Sequence, residues 1–203
     1  MALRNVKSSL TKISKSLETS QESREYLIKN TREVIILCSQ SIIAVHKGDL
    51  KTAKANAQKA SKLLSGQRKK GKGDLRKYLI TPEQELVEAL ALLSIVQKKE
   101  IPSIKSMGVS ENSYILGLLD CIGELKRMVF DKIREGKSKD AIRLFEIMEN
   151  LYLSLYPLAI YDKIVKETRR KLDVNRILLE ETRSALTEEI RRVDLIKAIN
   201  KIK

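Results

Sequence analysis

Leu3, Val6, Leu10, Ile13 and Leu17 step by three and four residues, and the step returns at Leu27, Val34, Leu37 and Ile42. Apolar residues at that interval gather on one side of an α-helix. No run in the 203 residues alternates apolar and polar positions as a half-buried strand would, and only three prolines and eight glycines interrupt the helical pattern. The chain is therefore expected to be all-α: a single-domain antiparallel helical bundle over 1–203, of about seven helices with long outer ones.

The punctuation places the elements. The first helix should end near Gly48, and Asp49 should cap a shorter one through about Leu64. Three glycines in "SGQRKKGKGDLRKYL" (65–79) predict a loop or break. Thr81 reads as the next cap, with Pro82 at the first helical position and Gln84 completing a capping box. That helix should run to about Lys99. Pro102 and Gly108 bracket a connector, and Ser110 caps a helix over about 111–135 that Gly136 ends. A helix over 138–155 should stop near Pro157, followed by a long charged one over about 160–203.

Lys and Arg number 40 against 26 Asp and Glu, a net charge of +14. That balance favours polyanions such as nucleic acid or an acidic membrane surface, although a merely soluble basic protein carries it too. No apolar run approaches the ~20 residues that span a bilayer. The first twenty residues lack the continuous apolar core of a signal peptide. Cys38 and Cys121 sit among apolar neighbours and read as buried free thiols. A soluble cytoplasmic protein without membrane contact is expected. The one histidine, His46, excludes a His-rich zinc site and any pair of histidines sharing acid and base roles. Near a helix end, it is expected to meet free carbonyls.

Two stretches stand out. "PEQELVEALALL" (82–93) puts Glu85 and Glu88 on one helical face, which continues through Leu92 and Val96. "YILGLLDCIGEL" (114–125) spaces Asp120 and Glu124 four apart among apolar residues. If the two helices pack side by side, both acidic pairs can face one gap. Like charges about 5 Å apart repel by roughly 3 kcal/mol per pair at an effective dielectric near 20. Such a cluster binds cations, takes up protons or meets arginines. A hard divalent ion is one solution, and Gly117, one turn before Asp120, leaves room beside the acid. Alternatively each acid is exposed or pairs locally, as Glu124 could with Arg127. A ferritin-like di-iron site needs Glu-x-x-His; here Glu88 follows Glu85 and Arg127 follows Glu124, which argues against oxygen chemistry.

"QELVEA" (84–89) followed by "YILGLLDCIGELKRM" (114–128) resembles the translin family, specifically its trax branch. The branch carries a Q-E-x-V-E-A segment and then a Y-x-L-G-x-x-D-x-x-G-E-L-x-R-M segment. Helix order and the long charged last helix extend the likeness over most of the chain. The resemblance implies an all-helical subunit of an octamer-like shell and a magnesium-dependent endoribonuclease acting inside it. By position, Glu85, Glu88, Asp120 and Glu124 fall on the branch's acidic site, as catalytic residues and ligands of Mg2+ or Mn2+, and Tyr114, Gly117, Gly123 and Arg127 match its flanks. The long insertion of eukaryotic trax is missing between Lys98 and Ser110, which suits a compact archaeal member. Whether it forms a homo-oligomer or assembles with a translin-like subunit stays open. A metal-activated water as nucleophile should leave a 5′-phosphate, since no His pair is present to assist a 2′-hydroxyl.

Arg68, Lys69, Lys70, Lys72, Arg76 and Lys77, with Arg127, are the candidate nucleic-acid contacts. Binding by them would be salt-dependent and insensitive to sequence. Aromatics make up 4% of the chain and Trp is absent, so a base-stacking platform is not expected. The same run also fits a solvated loop; it lacks the apolar face of a membrane-surface helix. A metal-dependent RNA endonuclease, a catalytically idle RNA- or DNA-binding shell, and a helical scaffold with ordinary surface acids are the competing functions.

Overall fold

The computed structural model describes residues 3–201, and among them every regular element is helical. Seven α-helices follow in order: α1 (Arg4–His46), α2 (Leu50–Arg68), α3 (Ile80–Val96), α4 (Ile104–Met107), α5 (Glu111–Arg134), α6 (Ser138–Leu155) and α7 (Thr168–Asn200). Short 3₁₀ helices at Gly73–Leu79 and Tyr156–Tyr161 precede α3 and follow α6. The all-helical expectation holds.

Tight turns make antiparallel neighbours. Between α1 and α2 the chain reverses at Gly48, whose φ of +79° lies in the region glycine tolerates. The Asp49 side chain accepts from Thr52 N–H at 3.0 Å and caps α2 as expected. Ala53, Ala57, Ala60 and Leu64 form the buried stripe of α2 against α1, and Ser41 Oγ donates to Ala53 C=O at 2.8 Å between them. Ser110 caps α5, accepting from Ser113 N–H. Gly136, at φ +69°, turns the chain into α6.

α3 is buried on nearly every side, through Leu86, Val87, Ala89, Ala91, Leu92, Leu93 and Ile95. It packs on α1, α2 and α5, while α5 in turn carries α6 and α7. The two helices with the acidic pairs thus form the spine of the bundle. At Gly117 their approach is closest: a Cβ there would lie 2.7 Å from the Val87 Cβ and would also strike the Gln84 carbonyl. The missing side chain lets α5 settle against α3, which brings the acids together and corrects the simpler expectation that Gly117 only leaves room beside Asp120.

Four other expectations are corrected. The helix assigned to end near Leu64 runs on to Arg68, and the glycine-rich stretch then winds into the 3₁₀ helix. Because that 3₁₀ helix leads directly into α3, Leu79 occupies the cap position without a side-chain bond. Thr81 and Pro82 lie inside the first turn, and Gln84 donates to Asp120 instead of closing a capping box. The last helix starts at Thr168, not near 160. After the 3₁₀ helix around Pro157, Glu167 adopts φ +75°, and the Asp162 side chain accepts from Arg169 N–H at 2.9 Å. A short helix, α4, also interrupts the connector between Pro102 and Gly108.

Candidate metal centre between α3 and α5

Glu85 and Glu88 project from the middle of α3, and Asp120 and Glu124 from the facing side of α5. All four are half-buried, and they feel one another's charge. Burial, then Asp120, Glu85 and Glu124, pushes the Glu88 carboxyl up to about 8. Burial and Asp120 likewise raise Glu85. Neither makes a hydrogen bond or ion pair among the described residues, although the positive charge of Lys171 eases both. Two like-charged groups crowded out of water hold protons for this reason.

The α5 pair is partnered. Lys171, on the first turn of α7, donates to Asp120 Oδ1, and Gln84 of α3 donates to Asp120 Oδ2. One turn further along α7, buried Asn175 donates to the Leu119 carbonyl at 2.9 Å. That bond registers α7 against α5 and aims Lys171 at Asp120, since residues four apart share a helical face. Glu124 faces His46, whose Nε2 lies 2.5 Å from Glu124 Oε2. The bond from His46 is the main reason the Glu124 carboxyl sits below the usual range, with the His46 and Arg127 charges adding to it against burial.

His46 therefore does not meet the free carbonyls expected of it. α1 ends against α5, so the imidazole, 6% exposed, points into the acid cluster. Its Nδ1 lies 3.6 Å from Asp131 Oδ2, too far for a hydrogen bond, and is buried without a partner. The thiols also lie near the acids. Burial and the charges of Glu85 and Glu88 push Cys38 up to about 12. Burial, followed by Glu88, raises Cys121 further. Both are buried free thiols, as the sequence indicates.

The donor set is made of hard oxygens and carries excess negative charge, which suits a divalent cation such as magnesium. As the side chains stand, no three His, Cys, Asp or Glu among the described residues converge closely enough to grip one ion. The internal partners explain this: Asp120 is turned to Lys171 and Gln84, and Glu124 to His46. Four residues of the cluster escape sequence reasoning. Gln84 lies within the first motif, and His46 stands out only by being single. Lys171 and Asp131 carry no local signal.

The basic candidates divide. Lys69, Lys70, Lys72, Arg76 and Lys77 are exposed around the end of α2 and the 3₁₀ helix. Lys70 Nζ rests 4.9 Å from the Tyr26 ring centroid and Lys77 Nζ 5.5 Å from that of Tyr78. Arg24 Nε donates to the Tyr78 hydroxyl at 2.9 Å. Arg68 instead turns inward to pair with buried Glu83 at 3.1 Å. Arg127 is exposed on the rim of the acid cluster, its Nη1 3.9 Å from Glu124 Oε2. No described helix is long and apolar enough to cross a membrane.

A family model described as the translin family matches residues 75–181, a span with all four carboxylates and Lys171 but not His46. An uncharacterized protein of Methanocaldococcus jannaschii is 34% identical over 192 residues, covering 92% of this chain and 85% of that protein. Among solved structures, AfC3PO from Archaeoglobus matches with a TM-score of 0.82 and 32% identity, over 91% of this chain and 98% of that one. AfC3PO in complex with duplex RNA matches with a TM-score of 0.82 and 31% identity, over 91% and 97%. Apo-NeC3PO, at 22% identity, shares the fold with a TM-score of 0.78 over 89% and 96% of the two chains.

Proposed function

The chain belongs to the translin family, and from that premise we propose that it is a metal-dependent endoribonuclease acting inside an oligomeric shell. The observation that carries this reading is the pairing of Glu85 and Glu88 with Asp120 and Glu124 across a glycine-closed helix contact, where burial and the three neighbouring acids raise Glu88 to about 8. A scaffold gains nothing from half-buried carboxylates left unpaired, as Glu85 and Glu88 are, whereas a metal centre needs them.

Glu85, Glu88, Asp120 and Glu124 would hold Mg2+ or Mn2+. Such an ion supplies charge to a phosphate oxygen and lowers the pKa of a water. His46 holds Glu124 by its inner oxygen, so that carboxylate stays ionised and fixed in direction. Gln84 fixes the direction of Asp120 through Oδ2. Since the one imidazole in the chain is committed to Glu124, no histidine pair can relay protons to and from a ribose 2′-hydroxyl. Hydrolysis by water and a 5′-phosphate product follow; 2′,3′-cyclic ends would rule this out. Exposed Lys69, Lys70, Lys72, Arg76 and Lys77 track the RNA backbone without reading bases. A match to an assembly solved with duplex RNA supports RNA as the partner. The apolar stripe of α1 outside the core supports burial between subunits, either as an octamer-like homo-oligomer or with a translin-like subunit.

The test is end-labelled RNA, single-stranded and partly duplex, incubated with the protein in magnesium and in EDTA, with Asp120→Asn alongside. Cleavage should require both the metal and Asp120. RNA that is bound but left intact in magnesium would make the protein the catalytically idle member of such a shell.

A further inference from the structure

Asp120 has no oxygen to spare. Lys171 takes Oδ1 and Gln84 takes Oδ2. The other three acids each keep an oxygen free: Glu85 and Glu88 have no partner among the described residues, and Glu124 is engaged through Oε2 alone. The cluster thus keeps both α3 carboxylates and one oxygen of Glu124 free, and the one acid with neither oxygen free is latched by a cation.

Lys171 is built into that position. Its side chain is 19% exposed, it lies one turn before the buried Asn175 anchor, and its charge reaches Glu85 and Glu88 as well as Asp120. One ammonium cannot neutralise three carboxylates, but a divalent ion can come closer. An ammonium on a flexible four-carbon stem can also leave without disturbing the helix that carries it.

We propose that Lys171 is the cluster's own counter-ion and the direct competitor of the divalent metal for Asp120, displaced from Oδ1 when the metal binds. This rests on the metal reading of the site. It differs in sign from a plain strut between α5 and α7. A strut, when removed, weakens the fold and leaves metal affinity the same or lower. A competitor, when removed, weakens the metal-free fold but tightens metal binding.

Mn2+ binding to the full chain by calorimetry, with melting in Mn2+ and in EDTA, separates the two. Lys171→Gln should bind Mn2+ at least tenfold more tightly than wild type, melt lower in EDTA and gain more on adding Mn2+, whereas Lys171→Arg, which keeps the charge, should stay near wild type. A Lys171→Gln affinity within twofold of wild type, or weaker, overturns the proposal. An independent measurement needs no variant: amine acylation of Lys171, read by mass spectrometry on wild-type protein, should rise severalfold when Mn2+ is added, and an unchanged rate overturns it. Folded wild type that takes up no Mn2+ overturns the metal reading itself, and this inference with it.

Discussion

The first and middle turns of α3 each bury a glutamate, and the two are treated in opposite ways. Glu83 is 1% exposed. It accepts from Arg68 Nε at 3.1 Å and from the Ser110 backbone N–H at 2.9 Å, tying the end of α2 and the cap of α5 to the start of α3. Glu88, five residues on, has no such partner and faces three other acids. The difference teaches what burial of a charge means. Where the fold supplies the counter-charge the group is part of the frame. Where it does not, the group holds its proton instead, and under the proposed function it is kept for a metal ion.

Substitutions should separate the two roles. Glu88→Gln should reduce magnesium-dependent cleavage by about 10³-fold, ~4 kcal/mol of transition-state stabilisation, in single-turnover assays, while leaving the fold intact. Glu83→Ala should destabilise the protein by about 3–5 kcal/mol in urea unfolding, because Arg68 is left half-buried without its carboxylate. Gly117→Ala should cost about 1–3 kcal/mol by forcing α5 off α3. It should also weaken Mn2+ binding, which Glu83→Ala should not do in the molecules that remain folded.

The smallest effect is the most specific to the contrast. Glu88 holds its proton in the folded protein up to about 8, against 4.5 in the unfolded chain. Between those values the folded state binds more protons, so its stability falls as pH rises. The urea midpoint of metal-free protein should therefore drop from about pH 5 to pH 8. Glu88→Gln should flatten that drop and be the more stable protein at pH 8. Glu124 acts in the opposite sense: its lowered carboxyl contributes stability above its ordinary range that is lost as pH falls below it. It does not mask the alkaline trend.

Much of the frame was legible. The caps at Asp49 and Ser110 and the stop at Gly136 rest on local chemistry that the sequence displays residue by residue. The starts of α3 and α7 do not. Thr81, Pro82 and Gln84 look like a helix beginning, but the 3₁₀ helix before them removes the need for a cap, and Gln84 is claimed by Asp120 36 residues away. In the same way, the cap of α7 comes from Asp162, seven residues before its recipient. The four acids could be read from their spacing among apolar residues, but their partners could not. His46 meets Glu124 across 78 residues and Lys171 meets Asp120 across 51. Nor does any periodicity distinguish Arg68, which serves Glu83, from the exposed lysines beside it.

α1 has its own consequence. From residue 27 onward it is core, whereas residues 3–22 are all exposed, with Leu3, Val6, Leu10, Ile13 and Leu17 between 48% and 63% accessible. A helical segment this exposed draws mainly on nucleation from its neighbour and on propagation, and at that length it is marginal in water. Its helicity in solution should then depend on how much of the protein is associated. Far-UV ellipticity that deepens with protein concentration, lost first on dilution and recovered on mixing, would make this half-helix a built-in gauge of subunit occupancy.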